Sequence, residues 1–428
     1  MNRIDRPDAA TAHPATPPVV ASGPPATTDS VAPGVDQRAL RAGRLARTRA
    51  MMREKGYAAV VLFDPNNQRY ATGSRNMFGY FLRNSTRYIY VPVEGPVILF
   101  EYPGSAHVST WLETIDEARN SRVVWAQVNQ RDTATAAPFA REIADCVRAH
   151  AGLDAGKVGL DRCTWMLAEA LLAEGCDVAD CQADMLHARR IKTPEEIACL
   201  AQSVAQSEAA VDAVEKAIAP GVSETELFAV MYGTVIAKGS EMIETRLLNS
   251  GPRTNPWFNE ASDRQVRPGE LIALDTDTIG CNGYYADFSR TFLVGDRRPT
   301  GYQQSLYRMA HEQIHTNMSL LRAGVTFREL AEAAWPIPER FDDRKYPSII
   351  HGVGLHGETP LVAHADRLDT YTGDGVLEAG MTVSVESYIG EPGGSEGVKL
   401  EEQVVITETG VERFSRYPFD DRLLDRQV

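Results

Sequence analysis

A chain of 428 residues with 43% apolar and 24% charged residues has the composition of an ordinary soluble globular protein, and its length predicts two domains. Its 44 basic and 58 acidic side chains leave a net charge of −14, which argues against nucleic acid and anionic membrane surfaces as partners. No apolar run approaches the roughly 18 residues of a membrane span, MNRIDRPDAATAHP has no hydrophobic signal core, and the scattered cysteines form no CxxC pair, so a cytoplasmic, reduced protein is expected.

Residues 1–36 are rich in Pro, Ala, Thr and Val and keep no helical or strand period, which predicts a disordered tail. Residues 37–190 alternate helix and strand patterns. A helix is expected at 38–56, a strand at 58–63, a turn at 64–67, and a hairpin of 88–93 with 97–102 around Glu94-Gly95-Pro96. A helix at 134–150, a strand at 157–161 and a helix at 165–174 complete a small α/β domain. The second domain, 191–428, opens at Thr193-Pro194-Glu195-Glu196, a capping box with Pro at the first helical position. That helix runs to about residue 218, and Ser223-Glu224-Thr225-Glu226 opens another. Strands follow, then helices at 302–321 and 327–335, then more strands. The helix-helix-strand pattern occurs twice.

The stretch 271–293 reads LIALDTDTIGCNGYYADFSRTFL. An apolar run, 271–274, and an alternating run, 284–293, flank a Gly-containing connection, which predicts a hairpin. Asp275 and Asp277 end its first strand and Asp287 lies inside the second. Unpaired ionised groups inside a domain are strongly disfavoured, and crowded hard oxygen donors ask for divalent cations. The alternative is that these Asp side chains cap strand ends and face water. Three later residues favour metal: His351 in SIIHGVGLHGETP, Glu386 in MTVSVESYIG and Glu401 in VKLEEQVVIT. Two Asp, one His and two Glu spread over strands of one domain form the ligand set of a two-metal carboxylate site.

ALDTD, ADFSR, HGVG, VE and KLEEQV, in this order, resemble the pita-bread metalloenzymes, the family of methionine aminopeptidase, Xaa-Pro aminopeptidase, prolidase and creatinase. Within it, EMIETRLLNSGPRTNPWF is most similar to the DddP-type dimethylsulfoniopropionate lyases. The resemblance covers roughly residues 41–419. It implies a creatinase-like N-terminal α/β domain, an α+β pita-bread catalytic domain and a homodimer acting on a small molecule. It further implies two divalent ions, iron by the lyase likeness, with manganese or zinc also suited to such donors. Asp275, Asp287, His351, Glu386 and Glu401 are the implied ligands, with Asp287 and Glu401 bridging. Asp277, where the peptidases carry Gly, is a sixth ligand in the lyases.

Both His residues with which the peptidases hold a scissile peptide are missing. Gly251-Pro252-Arg253-Thr254-Asn255-Pro256-Trp257-Phe258 carries aromatics at one place, and the His-Glu-x-Pro motif reads His356-Gly357-Glu358-Thr359-Pro360 at the other. Each lost donor is worth about 3 kcal/mol in a peptidase transition state. Trp257 and Tyr346 are candidate substrate-binding residues, because aromatic faces hold a sulfonium without a counter-charge; Phe258 is read as packing. Where the lyases carry a basic Asp, this chain has Gly357, so the base is expected to be His356 or a metal-bound hydroxide. The expected activity is β-elimination of dimethylsulfoniopropionate, or a related carboxylate with a cationic leaving group, to acrylate and dimethyl sulfide. Metal-dependent C–N hydrolysis is the alternative, and a catalytically silent binding module a third reading. His311-Glu312-Gln313-Ile314-His315 fits the HExxH pattern but is read as a solvated helix face.

Overall fold

The computed structural model describes residues 32–123 and 136–425. The expected tail lies outside them except for residues 32–36, and so do residues 134 and 135 of the expected helix. The chain divides into two compact units, one holding Thr48–Gln182, the other the stretch ending at Arg47 and everything from Ala183. The second unit starts ahead of the expected boundary at 190 because that connection is tied into it. Arg189 pairs with Glu358 at 3.0 Å, and the Lys192 N–H donates to the Gly380 carbonyl at 2.8 Å.

The first unit is a six-stranded mixed sheet. Its strands are β1 (Tyr57–Leu62), β2 (Tyr88–Pro92), β3 (Ile98–Glu101), β4 (Glu117–Asn120), β5 (Lys157–Leu160) and β6 (Val178–Asp180), in the order β4-β3-β2-β1-β5-β6. β1 and β2 are buried on both faces, which is why they read as continuous apolar runs rather than alternating ones. One face receives the helix Ala136–His150 through Phe139, Ile143 and Val147, and Tyr88 stacks on Phe100 at 4.6 Å and meets Phe139 edge-on at 5.2 Å. The expected turn at 64–67 is instead the start of a helix, Pro65–Thr72, capped by Asp64 accepting from the Asn66 N–H at 2.8 Å. Asp and Pro open turns and helices alike. Tertiary contacts decide here, because buried Gln68 donates to the carbonyls of Leu62, Phe63 and Arg87.

The second unit repeats helix-helix-strand. Its first half carries β7 (Met242–Ile243), β8 (Leu248–Ser250), β9 (Leu271–Asp275), β10 (Thr278–Ile279), β11 (Tyr285–Ala286) and β12 (Ser289–Leu293), in two antiparallel sheets ordered β11-β10-β7 and β12-β9-β8. Its second half carries β13 (Ser348–Val353), β14 (Gly357–Ala363), β15 (Thr382–Ile389), β16 (Val398–Ile406) and β17 (Val411–Arg413), in one antiparallel sheet ordered β14-β13-β15-β16-β17. Helices Pro194–Ala217 and Glu224–Ala237 cover the first half and Gly301–Leu320 with Phe327–Ala333 the second, each pair on its own apolar core. All four helices start with a complete capping box, at Thr193, Ser223, Thr300 and Thr326. Each cap is worth about 1 kcal/mol. The halves join where β12 lies against β16: the Thr291 hydroxyl donates to the Lys399 carbonyl at 2.7 Å and Arg290 donates to the Glu401 carbonyl at 3.0 Å.

Candidate metal centre

The predicted hairpin forms with β9 and β12 in antiparallel register, Asp275 opposite Ser289. Its second strand, expected to be continuous, breaks at Asp287 and Phe288. Their N–H groups donate to the Gln403 side chain (2.9 Å) and the Thr276 hydroxyl (3.0 Å) instead of a ladder partner. The break turns Asp287 towards the second half. Asp277 sits at φ +37°, in the left-handed region, held by donors on both oxygens: Tyr285 hydroxyl at 3.0 Å and Thr245 hydroxyl.

From the second half, β13 supplies His351, while β15 and β16 supply Glu386 and Glu401 as directly opposed residues. His351 Nε2 lies 3.2 Å from Glu386, 3.5 Å from Asp287 and 3.7 Å from Glu401. Donor atoms of Asp275, Asp277 and Asp287 converge within 4.8 Å, and so do those of Asp287, His351 and Glu401, with Asp287 common to both groups. Glu386 adjoins the second group through His351. All six expected ligands therefore face one another, five of them buried and His351 nearly so. That burial removes the alternative in which these Asp side chains face water.

Lys399 was missed by sequence reasoning. Its Nζ lies 2.7 Å from both Glu386 and Glu401, 2.8 Å from Ser289 Oγ and 3.5 Å from Asp275. The signal was present: residues two apart on a strand share a face, so Lys399 accompanies Glu401. Burial, followed by neighbouring carboxylates, pushes Asp287 well above the carboxylate range. Burial pushes Asp275 in the same direction, with Lys399 opposing and Glu401 adding to it. Burial likewise raises Asp277 and Glu386. For Glu401 burial is outweighed by Lys399 and His351, which together hold it far below its usual value. One buried ammonium and one imidazole against five carboxylates is still a shortfall of positive charge. Glu401 Oε1 is buried with no hydrogen-bond partner among the described residues. Both features fit divalent cations with oxygen-rich ligation.

Tyr346 covers Lys399, its ring 4.8 Å from Nζ, and meets Phe258 at 5.5 Å. Trp257 is buried in a small cluster with Ala273 and Tyr388, so it stands behind this surface and packs. Phe258, expected to pack, is 56% exposed at φ +67° and is the more accessible ring. His356 does not join the ligand cluster. Its Nδ1 donates to the Gly357 carbonyl at 2.9 Å and its Nε2 lies 3.6 Å from Glu244, an ion-pair distance. Glu244 raises the imidazole to about 8, burial opposing. His311 and His315 stack at 4.0 Å with Phe419 edge-on to His311, and they enter no group of convergent ligands among the described residues. HExxH here is a ring stack.

Comparison with known proteins places this arrangement. Residues 198–408 match Metallopeptidase family M24 and residues 44–191 match the Creatinase/Prolidase N-terminal domain. Dimethylsulfoniopropionate lyase DddP of Roseovarius nubinhibens is 36% identical over 91% of this chain and 89% of its own length, and that of Roseobacter denitrificans 35% over 91% and 88%. Xaa-Pro dipeptidase of Pyrococcus furiosus is 30% identical over 53% of this chain and 64% of its own. Among solved structures, Xaa-Pro dipeptidase from Bacillus anthracis superposes with a TM-score of 0.70 at 21% identity, over 89% of this chain and 99% of that one, which establishes the two-domain pita-bread fold. The chain belongs to metallopeptidase family M24, with the creatinase/prolidase domain architecture, and within it to the group of the DddP dimethylsulfoniopropionate lyases.

Proposed function

We propose that this protein is a metal-dependent carbon–sulfur lyase that converts dimethylsulfoniopropionate to acrylate and dimethyl sulfide. The observation that carries the reading is likeness to the DddP lyases across both domains, whereas the curated dipeptidase matches only about half the chain. The absence of both peptide-holding His residues supports it.

Asp275, Asp277, Asp287, His351, Glu386 and Glu401 would hold two divalent ions, with iron favoured by the lyase likeness and manganese or zinc compatible with the donors. Bound there, the ions would supply positive charge for a substrate carboxylate, which would make the adjacent C–H more acidic. Lys399 bridges Glu386 and Glu401, its Nζ 2.7 Å from each, and offsets their charge. Tyr346 and Phe258 present ring faces to the sulfonium, each worth about 0.5–2 kcal/mol. His356 takes the α proton. The electrons of that C–H bond become the C=C bond of acrylate, and the C–S bond breaks with its pair left on sulfur, so neutral dimethyl sulfide departs. A homodimer and a cytoplasmic location complete the proposal, the location in keeping with six cysteines outside any disulfide.

The purified, metal-loaded protein incubated with dimethylsulfoniopropionate is expected to release dimethyl sulfide into the headspace with equimolar acrylate. Gly357, in place of the lyase carboxylate, keeps C–N hydrolysis as the competing reading. Cleavage of Xaa-Pro dipeptides without sulfide release would reverse the assignment.

A further inference from the structure

His356 is half exposed at the β13–β14 turn, and the groups facing it come from three places. Glu244, one residue beyond β7, lies 3.6 Å from Nε2. The Gly357 carbonyl takes the Nδ1 proton at 2.9 Å. Arg189 opposes the imidazolium electrostatically, although its guanidinium is engaged by Glu358, which also pairs with Lys192 at 2.9 Å. Glu244 is itself anchored. Its N–H donates to the Asp277 carbonyl at 2.9 Å, and its carboxylate is in hydrogen-bonding reach of the Tyr285 hydroxyl, which donates to Asp277 Oδ1 at 3.0 Å.

We infer that Glu244 is the positioning residue of His356, forming a carboxylate–imidazole dyad that Tyr285 and the Asp277 backbone register against the metal centre. With Nδ1–H committed to a carbonyl, Nε2 is the only nitrogen that can accept a proton, and Glu244 stands at that nitrogen. The carboxylate stabilises the imidazolium formed when the α proton arrives, standing on the same side of the ring as the nitrogen that accepts it rather than behind it. The cost is a base already protonated at neutral pH, since the imidazole titrates at about 8. Neither the metal ligands nor the lyase likeness assigns Glu244 this part; only the fold brings residues 244, 285 and 356 together. The catalytic half of the inference rests on the lyase reading, the dyad itself does not.

The test uses the full chain loaded with zinc, which is diamagnetic, and follows imidazole signals by NMR against pH, His356→Gln identifying the resonance. The His356 midpoint is expected to lie above the ordinary imidazole value of about 6.5 and to fall towards it in Glu244→Gln, with Glu244→Asp holding an intermediate value. In parallel, the acid limb of kcat/KM for dimethylsulfoniopropionate is expected to move to lower pH in Glu244→Gln by the same amount. A midpoint unchanged in Glu244→Gln overturns the dyad. A midpoint that moves while the acid limb stays overturns the positioning role. A protein that releases no dimethyl sulfide at any pH overturns the lyase reading, and the imidazole midpoints still decide the dyad.

Discussion

Gly357 is the residue on which the chemistry turns. Its backbone is in an ordinary conformation and a Cβ there would meet nothing within 4 Å, so a side chain fits without rearrangement. Gly357→Asp would put a carboxylate beside His356, at the position where the lyases carry their base. A well-placed general base contributes about 10²–10⁴-fold. We expect Gly357→Asp to raise dimethyl sulfide release at pH 7 at least about tenfold, measured by headspace chromatography, because a carboxylate is ionised where His356 is largely protonated. An unchanged rate would mean that the proton leaves from a different side of the substrate. Single residues of this kind are legible as departures from a motif, yet the motif says nothing about their neighbours. Lys399 was readable from strand alternation with Glu401; Glu244 carried no such mark, because its partners Tyr285 and His356 lie far downstream in the chain.

The β13–β14 hairpin shows how an element is held for function. Glu358 is buried and gathers Arg189, Lys192 and the Leu355 N–H, the last at 3.1 Å, which pins the turn carrying His356. Burial pushes the Glu358 carboxyl up, but Lys192 and Arg189 outweigh it and its folded value lies below the usual range. Such a group contributes stability above its unfolded value near about 4.5, and that contribution is lost as pH falls through the folded value. Glu358→Gln strands two buried cations and is expected to lose about 3–5 kcal/mol at pH 7, read by denaturant unfolding. The loss should shrink as the pH is lowered through that window. Loss that is independent of pH would assign the effect to packing. At this scale the sequence was readable wherever a local rule sufficed: the capping boxes at Thr193 and Ser223 opened two helices. It misled at 64–67, where Asp-Pro serves turn and helix equally, and at Asp287, where side-chain acceptors from β16 and Thr276 interrupt a strand that alternates correctly.

At the scale of the molecule, two half-cores each fold behind their own helices, and the acidic centre lies where β12 meets β16. Five buried carboxylates facing one lysine make that seam the weakest joint of the second unit when it is metal-free. Anything that binds the folded state alone stabilises it by mass action, about 4 kcal/mol at a thousandfold excess over Kd. Removing metal with a chelator is therefore expected to lower Tm, measured by calorimetry, and graded addition of Mn²⁺ or Zn²⁺ to restore it in a concentration-dependent way. A Tm indifferent to chelation in a protein shown to have lost its metal would mean that Lys399 alone balances the centre.

The amino-acid sequence by itself determined the two-domain plan and the helix starts at Thr193 and Ser223, and through a family resemblance it offered six candidate donors, because periodicity, caps and motif spacing are local properties. Tertiary structure alone decided which of them share an atom-scale cavity, that Phe258 rather than Trp257 is the accessible ring, and that His356 stands with Glu244 outside the ligand cluster. Those outcomes depend on how strands from distant segments pair, on where a ladder breaks, and on which charges burial forces to find a partner.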